Sequence, residues 1–566
     1  MKARNPAAPP VPRAGGAEPW SRSAALFVTL LTLAAAALRL LRLDQVPPGL
    51  NQDEALGAWI ANCLLHTGRD MTGQAWPIFY SHGIGDNPST LTFYTLIPFQ
   101  AIGGLGVWTT RLPGALSGIL CVPLAWFVAA RMFGRNAGVV AGTLMAINPW
   151  SVEISRFGVW ANQCPMYVLL AFALMLRARL PVADSIEGKP RWSWALLAGV
   201  VAGLSCYGFH PMKLFFPALL LLLPLLNFRG WRACVSTRAG RSAALALALG
   251  FGLLFGPMAW LQVVDPAMGS RWQMTRLWDP GTALPEILRR LLERYALHFG
   301  PAFLFARGDS NNMAGPPGFG AFEWSMLPLM LVGLFVAIRN IRSSASNATL
   351  LALVLAYPAG DVVARYEGVH PFRSAPGIAA LVMLAAWGTV SGVRLLARRG
   401  RALAWTAAAL FATATMVSQA RFYAEYFGAW RTRPTTYHYF HTDLLEACGW
   451  LRPRLKSGDR VFWTVSQMNM PFAITLVGLG YDPRRWLADV KDVRTAGGWD
   501  WYVRYGDQYF LYGQLCRPYT DALKANGRPD HVWLVVRPHE LGLDHPVHVV
   551  RDPDGKESLW ICEGNL

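Results

Sequence analysis

Two adjacent carboxylates, Asp53 and Glu54, follow Asn51-Gln52 just beyond the first apolar run of the chain. Neighbours on a helix point about 100° apart, so the pair cannot share one task. One can face a cavity while the other supports structure or binds a partner. A partly desolvated carboxylate in that position could deprotonate a hydroxyl nucleophile. Acids in a first helical turn also simply suit the helix dipole. Three cations at the ends of other apolar runs, Arg156, Lys213 and Arg373, have the chemistry to stabilise a departing phosphate, Arg in bidentate fashion. Each could equally snorkel to lipid headgroups. His210, in Tyr207-Gly-Phe-His-Pro-Met, and His370, in Arg365-Tyr-Glu-Gly-Val-His-Pro-Phe-Arg, could bind a sugar hydroxyl or a metal, or be plain loop residues beside proline.

These residues must be positioned by membrane-spanning helices. The chain is 53% hydrophobic and only 15% charged, with a mean hydropathy of +0.27. Such a composition argues against a soluble protein of this size. Apolar residues cluster in runs such as Ala24–Leu41, Phe215–Leu226, Ala243–Leu261 and Ala375–Leu384, each able with its flanks to supply the roughly 17–25 residues of a span. The first run lies behind a polar, Pro-rich stretch and has no small-residue cleavage site, so it reads as a span rather than a signal peptide. The net charge of +18 sits largely in short loops. That pattern is a topology signal rather than a nucleic-acid surface.

Basic clusters recur at Arg131/Arg135, Arg177–Arg191, Arg229–Arg241, Arg339/Arg342 and Arg394–Arg401. If all face the cytoplasm, about eleven spans fit a ruler of ~20 residues: 24–41, 112–130, 137–150, 162–178, 193–208, 212–227, 243–263, 324–338, 347–363, 375–395 and 403–418. The N-terminus is then cytoplasmic, in the inner (plasma) membrane, and the C-terminal domain is periplasmic or extracellular. Residues 1–22, rich in Pro, Ala and Gly, are expected to be a disordered tail. The spans occupy 23–418, with two long outside loops at 44–111 and 264–323. In the first, Asn51 caps a predicted amphipathic helix that ends at Gly68 and lies flat on the membrane. In the second, Pro285 opens another, with Ile287, Leu288, Leu291, Leu292 and Tyr295 on one face. Residues 419–566 are polar and read as a small α/β domain, with a helix near 442–456 and strands at 460–465, 531–536 and 558–562. Eight cysteines show no CxxC pair. Cys516 and Cys562 could form a disulfide or stay as two thiols.

Leu50-Asn-Gln-Asp-Glu-Ala-Leu-Gly-Ala-Trp-Ile-Ala resembles the acidic loop of the GT-C glycosyltransferase superfamily. The branch is that of protein O-mannosyltransferases and the aminoarabinose transferases of lipid A, similar to bacterial family 39. Tyr80…Asn87-Pro-Ser-Thr-Leu-Thr-Phe-Tyr, Gly106-Val-Trp-Thr-Thr-Arg-Leu-Pro-Gly-Ala-Leu and Ala146-Ile-Asn-Pro…Ser155-Arg156 match that branch in order. The resemblance implies the GT-C fold, an α-helical polytopic membrane protein with interfacial helices in its first outside loop. It implies inverting transfer of a sugar from a polyprenyl-phosphate carrier to a hydroxyl acceptor (glycan, lipid or protein) on the periplasmic face.

Within that resemblance Asp53 is the base, Glu54 a supporting acid, and Arg156, Lys213 and Arg373 contact the donor phosphate. His210, His370, Tyr80 and Asn87 are sugar-binding candidates. Two departures stand out. Asn87-Pro-Ser replaces the Lys-Pro-Pro of aminoarabinose transferases, and Asn162 stands where relatives place a second acid, with Glu153 as a substitute. Aminoarabinose transfer is therefore not expected, and 264–323 is too short for the lumenal insert of eukaryotic protein mannosyltransferases. No cofactor is evident; a divalent metal stays open, as does the choice of hexose or pentose. The competing classes are a transporter or flippase of a lipid-linked or anionic substrate, without the internal repeat such proteins show, and a polymerase of lipid-linked glycans.

Overall fold

The computed structural model describes residues 21–566 except 82, 85–86, 310–314, 497–498, 513–530 and 565–566. The expected tail 1–22 lies outside the described residues up to position 20, and Ser21 already caps the first helix, α1 (Arg22–Leu40). Cys516 lies outside them as well, while Cys562 is buried as a free thiol.

Every predicted span overlays a helix. After α1 come two helices of the first loop, α2 (Gln52–Thr67) and α3 (Leu91–Gly103). Then follow α4 (Val107–Phe133), α5 (Arg135–Ile147), the short α6 (Pro149–Arg156), α7 (Cys164–Arg177), α8 (Trp192–Ser205), α9 (Met212–Leu226), α10 (Phe228–Ser236) and α11 (Arg238–Val264). The second long loop carries α12 (Pro266–Thr275) and α13 (Leu284–Leu297). The bundle closes with α14 (Met326–Arg339), α15 (Ala345–Ala356), α16 (Pro376–Ala397) and α17 (Arg401–Phe427). By length and composition five of these helices can cross a membrane, or six if α9 and α10, bent by 87°, count as one span. This is a multi-pass membrane protein. In α4 and α16, 67% of the apolar window is buried, against 22% in α1 and α11, so α4 and α16 form the centre. Leu26, Leu30 and Leu33 on α1 and Leu245, Leu249 and Leu253 on α11 point outward, as lipid-facing side chains must.

Loop contacts sort the helix ends into two layers. At the basic end, Ser346 Oγ donates to Met132 O at 2.8 Å, Ala345 N to Asp184 at 2.6 Å, and Ser185 Oγ to Arg131 O at 2.5 Å. At the other end, Trp150 Nε1 donates to Pro371 O at 3.2 Å, Tyr423 to Ile147 O at 2.8 Å, and Tyr295 to Leu355 O at 2.9 Å. The second layer holds the chemistry-bearing loops. Where α5 gives way to α6, Pro149 has no N–H to offer Met145 O. The guanidinium of Arg39, fully buried, takes that role at 2.9 Å and also reaches Ala146 O at 2.9 Å.

The last part of the chain runs through α18 (Ala429–Thr432) and α19 (Pro434–Tyr439) into a sandwich of α20 (Thr442–Leu451), α21 (Pro471–Leu479) and α22 (Pro483–Ala488) with a sheet. Its strands are β1 (Arg460–Trp463), β2 (Lys491–Ala496), β3 (Trp499–Tyr505), β4 (Gln508–Phe510), β5 (Val532–Val536), β6 (His548–Arg551) and β7 (Glu557–Glu563). Their order is β2-β3-β4-β1-β5-β7-β6, with β1 parallel to both β4 and β5. The three strands predicted from alternation are β1, β5 and β7.

One expectation is overturned. Helix α2 has the predicted cap and stop, Asn51 and a left-handed Gly68 at φ 66°, but the polar face expected to meet water does not. Residues 54–64 are buried on all sides. The C-terminal domain covers the face that was to be wet: Leu56, Trp59, Ile60 and Leu64 share a core with Leu444, Trp463, Phe472 and Trp486. Trp59 meets Trp486 edge-on at 5.9 Å, and Trp486 Nε1 donates to Met71 O at 2.6 Å. Trp486→Ala removes this contact and is expected to cost about 3–5 kcal/mol. Thermal unfolding in detergent should show a lower midpoint, and limited proteolysis should cut the chain between α17 and α20 sooner than in wild type.

Candidate active site

Glu54 organises the mouth of the site. Its Oε2 accepts Asn51 N at 3.0 Å, closing the capping box that starts α2. Oε1 accepts Gly158 N at 2.6 Å and Arg111 Nε at 2.8 Å, and Oε2 accepts Arg111 Nη2 at 2.9 Å. Both side chains of the ion pair are 0% exposed. The remaining protons of Arg111 go to the carbonyls of Leu43, Pro47 and Gly49 at 3.1, 2.7 and 2.9 Å. Glu54 thus has no oxygen left for a substrate. Asp53, about a third of a helical turn round the axis, is half-buried, and its carboxylate makes no hydrogen bond within the described residues. Burial pushes the Asp53 carboxyl above the usual aspartate range. The charge of Arg271 opposes that rise and the charge of Glu54 adds to it.

Arg156 is a correction to the expected phosphate contacts. Its guanidinium is buried and donates to the carbonyls of Leu38, Arg42 and Val46 at 2.8, 3.1 and 2.8 Å, with the Phe427 ring 4.8 Å away. A cation whose two terminal nitrogens are so engaged closes the end of α1. Asn162 is also inside the packing. Its amide donates to Phe157 O at 3.0 Å and fills the space beside Gly114, where a Cβ would meet it at 2.3 Å.

The remaining cations lie near one another: the charges of Lys213 and Arg373 both reach His210, and that of Arg373 reaches Arg271. Lys213 Nζ lies 3.1 Å from His210 Nδ1. Burial, then Lys213 and Arg373, hold His210 well below the usual histidine range, so it stands neutral beside the lysine. Arg373 is placed by Asp361, 3.8 Å away, and by Arg365 O at 3.3 Å, with Tyr366 5.9 Å from its guanidinium. Asp361 is itself fully buried and pairs with Arg294 at 3.1 Å and His298 at 3.2 Å, and it accepts His370 N at 3.2 Å. Burial and Arg373 bring the His370 ring down to about 3, which leaves it uncharged.

Arg271 of α12 was not among the expected residues. Its charge reaches both Asp53 and Arg373. The rule that selected Lys213 and Arg373, a cation just beyond an apolar run, would have selected it too: it stands shortly after α11. Two of the expected sugar-binding residues turn out to hold this helix. Tyr80 Oη donates to Asp265 Oδ2 at 2.8 Å, and Asn87 Nδ2 to Ala267 O at 2.6 Å. Asp265 caps α12 through Ala267 N at 2.9 Å. Tyr439, on the last turn of α19, also belongs here: burial raises its phenol well above the usual range, and the charges of Asp53 and Asp309 add to the effect. Among the described residues, no group of three His, Cys, Asp or Glu side chains is arranged to hold a metal ion.

Comparison with known proteins agrees with this architecture. The sequence model of the dolichyl-phosphate-mannose-protein mannosyltransferase family matches residues 86–260. A polyprenol-phosphate-mannose–protein mannosyltransferase of Mycobacterium tuberculosis is 25% identical over 228 residues, 38% of each chain. The chain thus spans under half the length of that curated relative. ArnT from Cupriavidus metallidurans superposes with a TM-score of 0.57 in its apo state, at 15% identity, over 95% of this chain and 98% of that one. Its structure bound to undecaprenyl phosphate gives 0.53 over 96% and 98%. The chain shares the fold of that protein, the GT-C fold, with a C-terminal sheet domain set against its first loop.

Adjacent acids with opposite roles give a direct check. Glu54→Ala leaves Arg111 buried without its counter-ion, a loss of about 3–5 kcal/mol. Asp53→Asn removes a half-buried charge that makes no hydrogen bond and should leave the thermal midpoint in detergent unchanged or raised. Equal loss of stability in both variants would contradict the division.

Proposed function

We propose that this protein is an inverting glycosyltransferase that moves a sugar from a polyprenyl-phosphate carrier to a hydroxyl acceptor at the outer face of the membrane. The observation that carries the reading is the placement of Asp53: a carboxylate without a hydrogen-bond partner among the described residues, within reach of the charge of Arg271, which in turn neighbours Arg373. The likeness to enzymes named for polyprenol-phosphate mannose adds support.

In this mechanism Asp53 takes the proton of the acceptor hydroxyl as its oxygen attacks the anomeric carbon. The bond from that carbon to the phosphate oxygen breaks on the opposite side, which inverts the configuration. The electron pair stays on the carrier phosphate. Arg271, Arg373 and Lys213 stabilise the growing charge there, and neutral His210 and His370 are free to accept or donate hydrogen bonds. The desolvation that raises the Asp53 pKa also strengthens it as a base. On this reading the layer of basic loops is cytoplasmic and the C-terminal domain lies outside.

Asp53→Asn is expected to lower release of free polyprenyl phosphate from a panel of radiolabelled polyprenyl-phosphate sugars by about 10²–10⁴-fold, the scale of a lost general base. Wild-type protein that consumes no donor, or a fully active Asp53→Asn, would overturn the reading and return attention to a transporter. The base works deprotonated, so kcat/KM should fall as pH is lowered through the raised Asp53 pKa. The acid limb should therefore lie above the ~3.9 of a free aspartate, and a pH–rate profile measures it.

A further inference from the structure

Helix α10 takes no part in the chemistry above and lies at the other end of the bundle. Span α9 carries Lys213 in its first turn and ends at Asn227. Asn227 Nδ2 donates to Pro181 O at 2.8 Å, in the layer of basic loops. The same residue caps α10, accepting Gly230 N at 3.3 Å, and the two helices meet at 87°. A helix perpendicular to a span lies in the plane of the membrane. Thr237 then caps α11 through Gly240 N at 3.0 Å. Gly240 packs on Cys234 O, where a Cβ would come to 1.9 Å. A corner closed at both ends fixes α10 in this attitude.

The sides of α10 are sorted by the helical period. Phe228, Trp231 and Val235 share one side, and Arg229, Arg232 and Ser236 the side next to it. Trp231 packs against the bundle core, whereas Phe228 and Val235 are exposed. Along the chain on either side, Leu225 of α9 and Leu245 of α11 are exposed too, so the apolar side of α10 continues the lipid-facing surface of the spans. Arg229, Arg232, Arg238 and Arg241 are all exposed. The first three make no hydrogen bond or ion pair among the described residues, and Arg241 reaches only the carbonyls of Val235 and Ser236 at 3.5 and 3.2 Å. No acid occurs between Glu187 and Asp265, and Asp184 of the adjoining loop is taken up by Ser344 and Ala345 N. A topology signal requires positive charge in such a loop. It does not require a capped helix held at a right angle with apolar side chains uncovered. That combination matches an anionic interface, in which the apolar side enters the acyl boundary and guanidinium groups bond phosphate above it.

We propose that α10 is an in-plane docking surface for anionic phospholipid in the leaflet at the basic end of the bundle. Arg229 and Arg232 bond the headgroup phosphate, and Phe228 and Val235 enter the acyl boundary. This surface is independent of the transferase reading.

The test uses the full chain in phosphatidylcholine vesicles that contain a trace of photoactivatable phosphatidylglycerol or photoactivatable phosphatidylcholine. Cross-linked peptides are located and quantified by mass spectrometry. In wild type, phosphatidylglycerol should label residues 228–241 more than phosphatidylcholine does. Arg229→Gln with Arg232→Gln should lower the phosphatidylglycerol labelling there by about 5-fold per arginine and leave phosphatidylcholine labelling unchanged. Arg229→Lys with Arg232→Lys keeps the charge and should retain most of it. Both pairs are exposed substitutions and should elute from size exclusion like wild type. Equal labelling by the two lipids in wild type overturns the proposal, as does labelling that the Gln pair leaves intact. An equal fall caused by Arg398→Gln with Arg399→Gln, exposed arginines at another basic corner, overturns it as well, because any positive charge would then serve. Inorganic phosphate that abolishes the labelling where chloride of equal ionic strength does not would assign the arginines to a free anion instead. None of these readouts depends on sugar transfer.

Discussion

The buried ion pair of Glu54 and Arg111 is the constraint on which the outer layer depends. Neither charge has access to water, so each must be matched inside the protein, and a desolvated pair repays its cost only when every donor and acceptor is used. Here they are: Glu54 takes up the start of α2 and Gly158, and Arg111 takes up three carbonyls of the segment entering α2. The loop after α1, the first turn of α2, the N-terminal part of α4 and the turn after α6 are thereby fixed to one another. With Glu54 fixed inward, helix geometry leaves Asp53 pointing elsewhere. Its reactivity on the proposed mechanism is a by-product of its neighbour's saturation.

The same economy governs the cations. The terminal nitrogens of Arg39 and Arg156 bond mainly to carbonyls at helix ends. Arg373 keeps a looser position because Asp361 divides its charge among Arg294, His298 and Arg373. Arg271 is delivered by a short helix that Tyr80 and Asn87 fasten from the first loop. Cations with carbonyl partners hold the scaffold.

The C-terminal domain does more than cap the membrane part. Its aromatic core encloses α2, Leu50 N donates to Phe440 O at 2.8 Å, and Asp500 N donates to Ile84 O at 2.9 Å. The position of Asp53 is therefore set from both sides, by the ion pair below and by the covering domain above. Tyr439, at the junction between α19 and that domain, reaches the same environment.

Much of the fold was legible in the sequence. The apolar runs mark the helices because a segment must exclude charge over its whole length to sit in lipid. Asn51, Gly68 and the alternating runs of β1, β5 and β7 mark local geometry because caps and strand periods are local rules. Asp53, Lys213 and Arg373 stand out as candidates because charge at a membrane boundary is costly. What the sequence could not decide is which of these charges is already satisfied. Glu54 meets Arg111 across 57 positions and Gly158 across 104, and Tyr80 meets Asp265 across 185. Arg156 and Arg373 look alike in sequence, each an arginine beyond an apolar run, and only packing gives one a set of carbonyls and the other a shared carboxylate. Amphipathic spacing likewise predicted the shape of α2 but not what covers it. Periodicity states which face must leave water, and a lipid surface and a second domain satisfy that demand equally well.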